Sequence, residues 1–76
     1  MSTVLLVEDS LTEREILTHY LQQAGLAVVS AKSGEEAQAK LNLQKPNLII
    51  LDVVLPDQSG FELCREIKTD PVNNQI

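Results

Sequence analysis

The chain has 76 residues, 43% of them hydrophobic and 22% charged, and these fractions are typical of one ordinary globular domain rather than of a disordered or fibrous chain. Eleven acidic residues against six Lys and Arg give a net charge of −5 without a basic cluster, which argues against direct binding to nucleic acid. The apolar runs are far shorter than the ~20 residues that span a membrane, and a single cysteine excludes an intramolecular disulfide, so we expect a cytoplasmic protein without membrane contact.

The first elements are a strand and a helix. Residues 4–7, all Val or Leu, predict a strand that is buried on both faces of a parallel sheet. Residues 10–13 then have the S-x-x-E spacing of a capping box, and Gly25 provides a left-handed stop. The apolar residues between them fall on one helical stripe: Ile16, Leu17, Tyr20, Leu21 and Ala24. His19 lies opposite this stripe and is expected to face solvent.

Two further strand and helix units follow. A strand is predicted over Ala27–Ala31, and a second capping box at residues 33–36 begins a short helix with an outward Glu36–Lys40 pair. Leu48–Leu51 predicts a third strand buried on both faces, and residues 61–68 predict a third helix. The side chains expected to face the core from these two helices are Ala37, Leu41, Phe61, Leu63, Cys64 and Ile67.

The resulting β-α-β-α-β-α order predicts an α/β fold with a doubly wound parallel sheet in strand order 2-1-3, because crossovers between parallel strands are right-handed. In such sheets ligands bind at the carboxyl ends of the strands, where the strand order reverses. Glu8 and Asp9 follow the first strand, and Asp52 follows the third. We therefore expect these three carboxylates to converge.

Converging carboxylates repel one another, so one of them takes up a proton or a cation neutralises the group. Mg²⁺ is the expected ion, since it prefers hard oxygen ligands and commonly bridges a carboxylate to a phosphate. A carboxylate beside that ion can attack phosphorus and carry the group as an acyl phosphate, and Asp52 is the best placed. The alternative is that Glu8 and Asp9 merely favour a helix N-terminus and that Asp52 caps a turn.

Two stretches of the chain carry a recognisable pattern: Val-Leu-Leu-Val-Glu-Asp-Ser at residues 4–10, and Asp-Val-Val-Leu-Pro at residues 52–56 followed by Gly60. This pattern resembles bacterial two-component response-regulator receiver domains, and the resemblance covers the whole chain. Independently of that likeness, Pro56 fixes one φ angle, and Gly60 permits a backbone turn that holds the site open. Both residues are also compatible with an ordinary surface turn.

The resemblance implies that Asp52 is the phosphoacceptor of a phosphorelay, with Pro56 and Gly60 supporting its loop. It also implies Mg²⁺ bound by Glu8 or Asp9, Asp52 and the backbone carbonyl of Val54, with Asp9 favoured as a direct ligand. The implied donor is a phosphohistidine on a sensor histidine kinase or a phosphotransfer protein. Such a module assists its own phosphorylation and is not a conventional enzyme.

Receiver domains have five strands and five helices in a flavodoxin-like sheet, whereas residues 1–76 correspond to the first three β-α units. The switch Ser or Thr and the catalytic Lys of the family have no counterpart here, and Lys45 and Lys68 are expected to lie far from Asp52. We therefore expect a truncated or incompletely covered receiver domain. The exposed edge of the third strand is expected to favour self-association or domain swapping.

Other functions remain as alternatives. The chain could be a receiver-like interaction module that does not signal because the switch residues are absent. An aspartyl-nucleophile phosphatase is less favoured, since Val54 stands where those enzymes have an acid. Nucleotide binding is disfavoured because neither G-x-G-x-x-G nor the P-loop pattern occurs.

Overall fold

A computed structural model describes residues 2–76 as three strands and three helices in the predicted alternating order. The elements are β1 (Thr3–Val7), α1 (Leu11–Gln23), β2 (Ala27–Ala31), α2 (Gly34–Leu43), β3 (Leu48–Leu51) and α3 (Gly60–Thr69). All strand pairs are parallel and the sheet order is β2-β1-β3. The predicted flavodoxin-like topology is therefore confirmed.

The central strand β1 sets the register of the whole sheet. Leu5 pairs with Val29 on β2 and with Ile49 on β3. The ladder continues one residue beyond the strands: Glu8 N–H donates to the Ala31 carbonyl at 2.9 Å, and Asp52 N–H donates to the Val7 carbonyl at 3.0 Å. Both acidic residues are thus fixed by backbone hydrogen bonds at the carboxyl edge of the sheet.

Each helix begins at a serine cap. The Oγ atoms of Ser10, Ser33 and Ser59 accept the backbone N–H three residues later, at 3.4, 3.1 and 3.1 Å. This satisfies one of the amides that have no acceptor within a helix. Helix α1 is followed by Gly25 at φ +88°, the left-handed stop that the sequence predicts.

The hydrophobic core lies mainly on the face of the sheet covered by α2 and α3. It contains Leu5, Val7, Ala31, Ala37, Leu41, Leu55, Leu63 and Ile67, all buried. The alternate β1 residues Val4 and Leu6 are buried on the opposite face, beneath α1. The expectation that β1 is buried on both faces is confirmed.

Several predicted core positions are wrong. The stripe of α1 contributes no buried residue, and Tyr20 is 65% exposed, because α1 covers β1 and β2 on one side and nothing in residues 2–76 packs against its outer side. Phe61 is 71% exposed and Cys64 is also exposed. The buried line of α3 runs through Gly60, Leu63 and Ile67 instead.

Strand β3 also differs from the prediction, since none of its residues is fully buried and Leu48 is 53% exposed. Within residues 2–76 β3 pairs only with β1, so it is an edge strand.

The expected positions of His19 at the surface and of the Glu36–Lys40 pair, with a 3.3 Å N···O distance, are confirmed. No helix in residues 2–76 is both long and apolar enough to cross a membrane.

One pair of variants tests which side of α3 packs against the core. Leu63→Ala should lower the free energy of unfolding by about 2–5 kcal/mol, because it leaves a cavity beneath the sheet. Phe61→Ala removes a larger but exposed side chain and should change the free energy of unfolding by less than about 0.5 kcal/mol. Urea denaturation measures both, and the reverse order of effects would contradict this packing.

Candidate functional site

Three carboxylates converge at the carboxyl edge of the sheet, as the sequence predicts. Glu8 and Asp9 follow β1, and Asp52 follows β3. Each offers an oxygen atom, and these oxygen atoms all lie within 4.8 Å of one another. The convergence follows from the sheet order, because β1 and β3 are adjacent parallel strands that end at the same edge.

Glu8 is the buried member of the cluster, with 7% of its surface exposed. Its Oε1 accepts the Ser10 N–H at 3.1 Å, and its backbone carbonyl accepts a hydrogen bond from Arg14 Nη1 at 2.9 Å. Burial raises the pKa of Glu8, and repulsion from Asp52 and Glu13 raises it further, while the Ser10 N–H partly opposes the rise. The site therefore holds a carboxyl group whose charge is poorly stabilised by the protein alone.

The other two carboxylates are more accessible. Asp9 is exposed and Asp52 is half-buried. A shallow depression of about 170 Å³ adjoins Asp52 and is lined by Val53, Gly60 and Phe61, among others. Asp52 is therefore open to an approaching group, whereas Glu8 is not.

Gly60 lies against the backbone of Asp52, and this close approach requires a residue without a side chain. A Cβ at this position would stand 2.0 Å from the Asp52 carbonyl oxygen, a distance that no side chain tolerates. The residue does not adopt a positive φ, so a left-handed turn is not what requires glycine. Its N–H donates to the Val53 carbonyl at 2.6 Å, which joins the start of α3 to the residue after Asp52.

The loop between β3 and α3 is a closed turn. Val54 pairs with Ser59 in an antiparallel bridge, and Leu55 N–H donates to the Gln58 carbonyl at 3.2 Å. The Leu55 side chain is buried in the core, and Pro56 is exposed next to it. The role of the Val54 carbonyl as a metal ligand and the supporting role of Pro56 remain predictions.

The donor set fits a divalent cation. The ion pair found in residues 2–76 joins Lys40 to Glu36, so no Lys or Arg neutralises the acidic cluster. The nearby Arg14 donates to a backbone carbonyl rather than to a carboxylate. Lys45 and Lys68 donate to the carbonyls of Val72 and Ile76, in keeping with the expectation that neither substitutes at Asp52. Three oxygen ligands without a counter-charge are the chemistry that Mg²⁺ prefers.

Two residues of this region were not predicted from the sequence. Arg14 holds the carbonyl of Glu8, and a single Arg in the first half of an amphipathic helix gives no signal of that contact. Asp57 binds the start of α2 through its carboxylate, and no local sequence pattern predicts this contact. The Ser10 N–H is bound by Glu8 and not by Glu13, so the first capping box is formed in one direction only.

Comparison with known proteins agrees with this geometry. The family model for the response regulator receiver domain matches residues 4–76. The transcriptional regulatory protein CreB of Escherichia coli is 48% identical over 65 residues, which are 86% of this chain and 28% of CreB. The structure of a signal receiver domain of a signal transduction histidine kinase from Syntrophus aciditrophicus matches with a TM-score of 0.94 and 39% identity, over 97% of this chain and 56% of that one.

The response regulator TrrA from Thermotoga maritima, solved in complex with Mg²⁺-BeF, matches with a TM-score of 0.89 and 36% identity, over 95% of this chain and 63% of TrrA. The structure of histidine kinase ThkA in complex with TrrA matches equally well, over 96% of this chain and 63% of the matched chain. This chain spans 26–32% of the length of the curated relatives and 56–63% of the solved chains.

The burial of Glu8 predicts a pH-dependent stability in metal-free buffer. Its folded-state pKa lies above the usual 4.5, so Glu8 keeps its proton in the folded chain after the unfolded chain has lost it. The stabilisation is fully present below pH 4.5 and is lost as the pH rises through the folded-state pKa. Glu8→Gln cannot ionise, so its advantage in free energy of unfolding over the parent should widen from pH 4 to pH 7.

Chemical denaturation in the presence of a chelator at several pH values measures this effect. Glu15→Gln is the matched control, because it removes one carboxylate from an exposed position of α1 and should show no such widening. A parent and a Glu8→Gln variant whose stabilities change in parallel with pH would contradict the account of Glu8.

Proposed function

The chain belongs to the response regulator receiver domain family of two-component systems, and we propose that Asp52 is its phosphoacceptor. The observation that carries the proposal is the convergence of Glu8, Asp9 and Asp52, to which no Lys or Arg of residues 2–76 is ion-paired. Of the three, Asp52 is the residue that adjoins an open depression. The chain assists its own phosphorylation and returns to its starting form only after the phosphoryl group is lost, so it is not a conventional enzyme.

The proposed step is a phosphoryl transfer from a phosphohistidine. A carboxylate oxygen of Asp52 attacks phosphorus, a P–O bond forms, and the P–N bond to the imidazole breaks. The bonding electron pair returns to the imidazole nitrogen, and the product is an acyl phosphate on Asp52. The Asp52 N–H donates to the Val7 carbonyl, and the next carbonyl, that of Val53, accepts the Gly60 N–H. These two backbone hydrogen bonds support a fixed position for the attacking carboxylate.

Glu8, Asp9, Asp52 and the backbone carbonyl of Val54 are the proposed magnesium ligands, with Asp9 favoured as a direct ligand. The fit of the donor set and the Mg²⁺-BeF complex of the relative TrrA support this assignment. When bound, Mg²⁺ would neutralise charge on the incoming phosphoryl group. Glu8, at the buried end of the cluster, would keep negative charge directed at the ion and away from solvent.

The proposed partner is a sensor histidine kinase or a phosphotransfer protein, which the complex of ThkA with TrrA supports. We place the chain in the cytoplasm, where the single unpaired cysteine is stable in reduced form. Several relatives are transcriptional regulators, but this chain matches only about a third of their length or less. With a net charge of −5 and no basic cluster, we do not assign DNA contact to residues 1–76.

Phosphoryl labelling tests the assignment of Asp52. Incubation with Mg²⁺ and a small acyl phosphate donor should label the protein, and hydroxylamine should remove the label because an acyl phosphate is formed. Asp52→Asn should reduce labelling to background, since an amide is not a competent nucleophile. Omission of Mg²⁺ should have nearly the same effect.

Asp70→Asn is the matched control. Asp70 is also half-buried but caps the end of α3, away from the acidic cluster, so this variant should be labelled like the parent. A label that persists in Asp52→Asn, or one that resists hydroxylamine, would show that the phosphoryl group is attached elsewhere.

A second candidate function, self-association through β3, is favoured by one observation. β3 is an edge strand in residues 2–76, and its Leu48 side chain is 53% exposed. Unpaired edge strands offer backbone donors and acceptors to another chain. If residues 1–76 act in this way, light scattering at increasing concentration should show a dimer that Leu48→Lys weakens, while a monomer at every concentration would exclude this function.

A further inference from the structure

The loop between β3 and α3 is attached to the start of α2 by a single carboxylate. Asp57 Oδ1 accepts the Gly34 N–H at 2.9 Å, and Asp57 Oδ2 accepts the Glu35 N–H at 2.8 Å. The two partners are 22 and 23 residues away in sequence. This pair of hydrogen bonds, here called the Asp57 clip, joins two segments that share no strand pairing.

The clip completes the hydrogen bonding of the first turn of α2. The first amides of a helix have no acceptor within the helix. In α2 the Gly34 and Glu35 amides bind Asp57, and the Glu36 amide binds the Ser33 hydroxyl. These contacts to the positive end of a helix lower the pKa of Asp57, so the carboxylate is charged at neutral pH. The clip is therefore made of charge-assisted hydrogen bonds.

Gln58, the residue after Asp57, also lies against the start of α2. The Gln58 side chain lies over Gly34, where a Cβ would stand 2.5 Å from Gln58 Oε1. Gln58 Nε2 donates to Glu66 Oε1 on α3 at 3.0 Å. The tip of the loop thus rests on α2 through Asp57 and Gly34, and on α3 through Gln58. Because Gly34 has no side chain, the Gln58 side chain has room to lie at this position.

The clip acts on a short stretch of backbone that leads back to the acidic site. Asp57 is three residues after Val54, whose carbonyl is a proposed magnesium ligand, and five after Asp52. Between them, Leu55 is fixed by its buried side chain and by its N–H bond to the Gln58 carbonyl. Because Gln58 directly follows Asp57, release of the clip would free the acceptor of that hydrogen bond.

We propose that Asp57 is a positioning residue for the acidic site: by binding the first turn of α2, it holds the loop backbone that presents the Val54 carbonyl beside Glu8, Asp9 and Asp52. The proposal rests on the proposed function, since it assigns Asp57 a role toward the magnesium ligands. Asp57 itself touches neither the metal ligands nor the phosphoryl group. Its effect is on metal affinity through the shape of the loop.

Two variants separate the clip from the general stability of α2. Asp57→Ala removes both hydrogen bonds to α2, whereas Ser33→Ala removes the other cap of the same helix and leaves the loop contact in place. Both variants remove hydrogen bonds from the first turn of α2, but only Asp57→Ala also removes a contact of that turn with the loop. A difference between the two variants at the acidic site therefore reports on the loop and not on the helix.

The first measurement is amide hydrogen exchange by NMR in metal-free protein. Asp57→Ala should accelerate exchange at Leu55 and Gly60, whose N–H groups are bonded within the loop, by roughly tenfold beyond Ser33→Ala. The second is calorimetric titration with MgCl₂. Asp57→Ala should weaken magnesium binding by roughly tenfold, as is typical when an outer contact of a metal ligand is removed, and Ser33→Ala should bind like the parent.

A third readout is the Mg²⁺ dependence of labelling. Asp57→Ala should need more Mg²⁺ for half-maximal labelling but reach the parent rate at saturation, and Asp57→Asn, which retains one acceptor oxygen, should fall between the two. Equal magnesium affinity in Asp57→Ala and the parent, or an equal loss in Ser33→Ala, overturns the proposal. Absence of a label on Asp52 would overturn the proposed function instead. The role of Asp57 would then be decided by hydrogen exchange and by the titration with MgCl₂ alone.

Discussion

The constraint on which this structure depends is the repulsion among three carboxylates at one edge of the sheet. Glu8 is 7% exposed, and one of its carboxylate oxygens lies within 4.8 Å of an oxygen from Asp9 and of one from Asp52. A fold selected only for stability would place an apolar residue at the end of β1. Burial raises the pKa of Glu8, and repulsion from Asp52 raises it further, so the charged form of this carboxylate is disfavoured. A divalent cation supplies the missing positive charge in the proposed function.

The surrounding backbone keeps the repelling groups together. The β-ladder extends past β1 and β3 to bind the N–H groups of Glu8 and Asp52, so neither residue can move outward without breaking sheet hydrogen bonds. Arg14 holds the carbonyl of Glu8 from α1. On the other side, α3 lies so close to Asp52 that only glycine fits at position 60. The site is thus held in place by backbone contacts whose strength does not depend on the charge of the carboxylates.

The sequence predicts the parts of this arrangement that follow from local patterns and a topological rule. Ala27–Ala31 and Leu48–Leu51 are strands with the predicted bounds, and the strand order brings Glu8 and Asp52 together as expected. Periodicity tells which side of a helix is apolar but not whether another layer covers it, which is why Tyr20 and Cys64 were wrongly assigned to the core. The Asp57 contact joins residues more than twenty positions apart, and no local pattern encodes it.

The backbone contacts of the sheet and the Asp57 clip support the acidic site in different ways. The ladder hydrogen bonds of Glu8 and Asp52, and the packing of Gly60 against Asp52, belong to the sheet and its core. They are therefore lost only when the sheet itself unfolds. The tip of the loop is exposed at Asp57 and is held by hydrogen bonds accessible to water, which open more readily than those of the sheet. Anything that binds only the closed loop stabilises that form by mass action. A cation bound by the three carboxylates and the Val54 carbonyl would therefore strengthen the Asp57 clip, because metal binding and loop closure favour each other to the same extent.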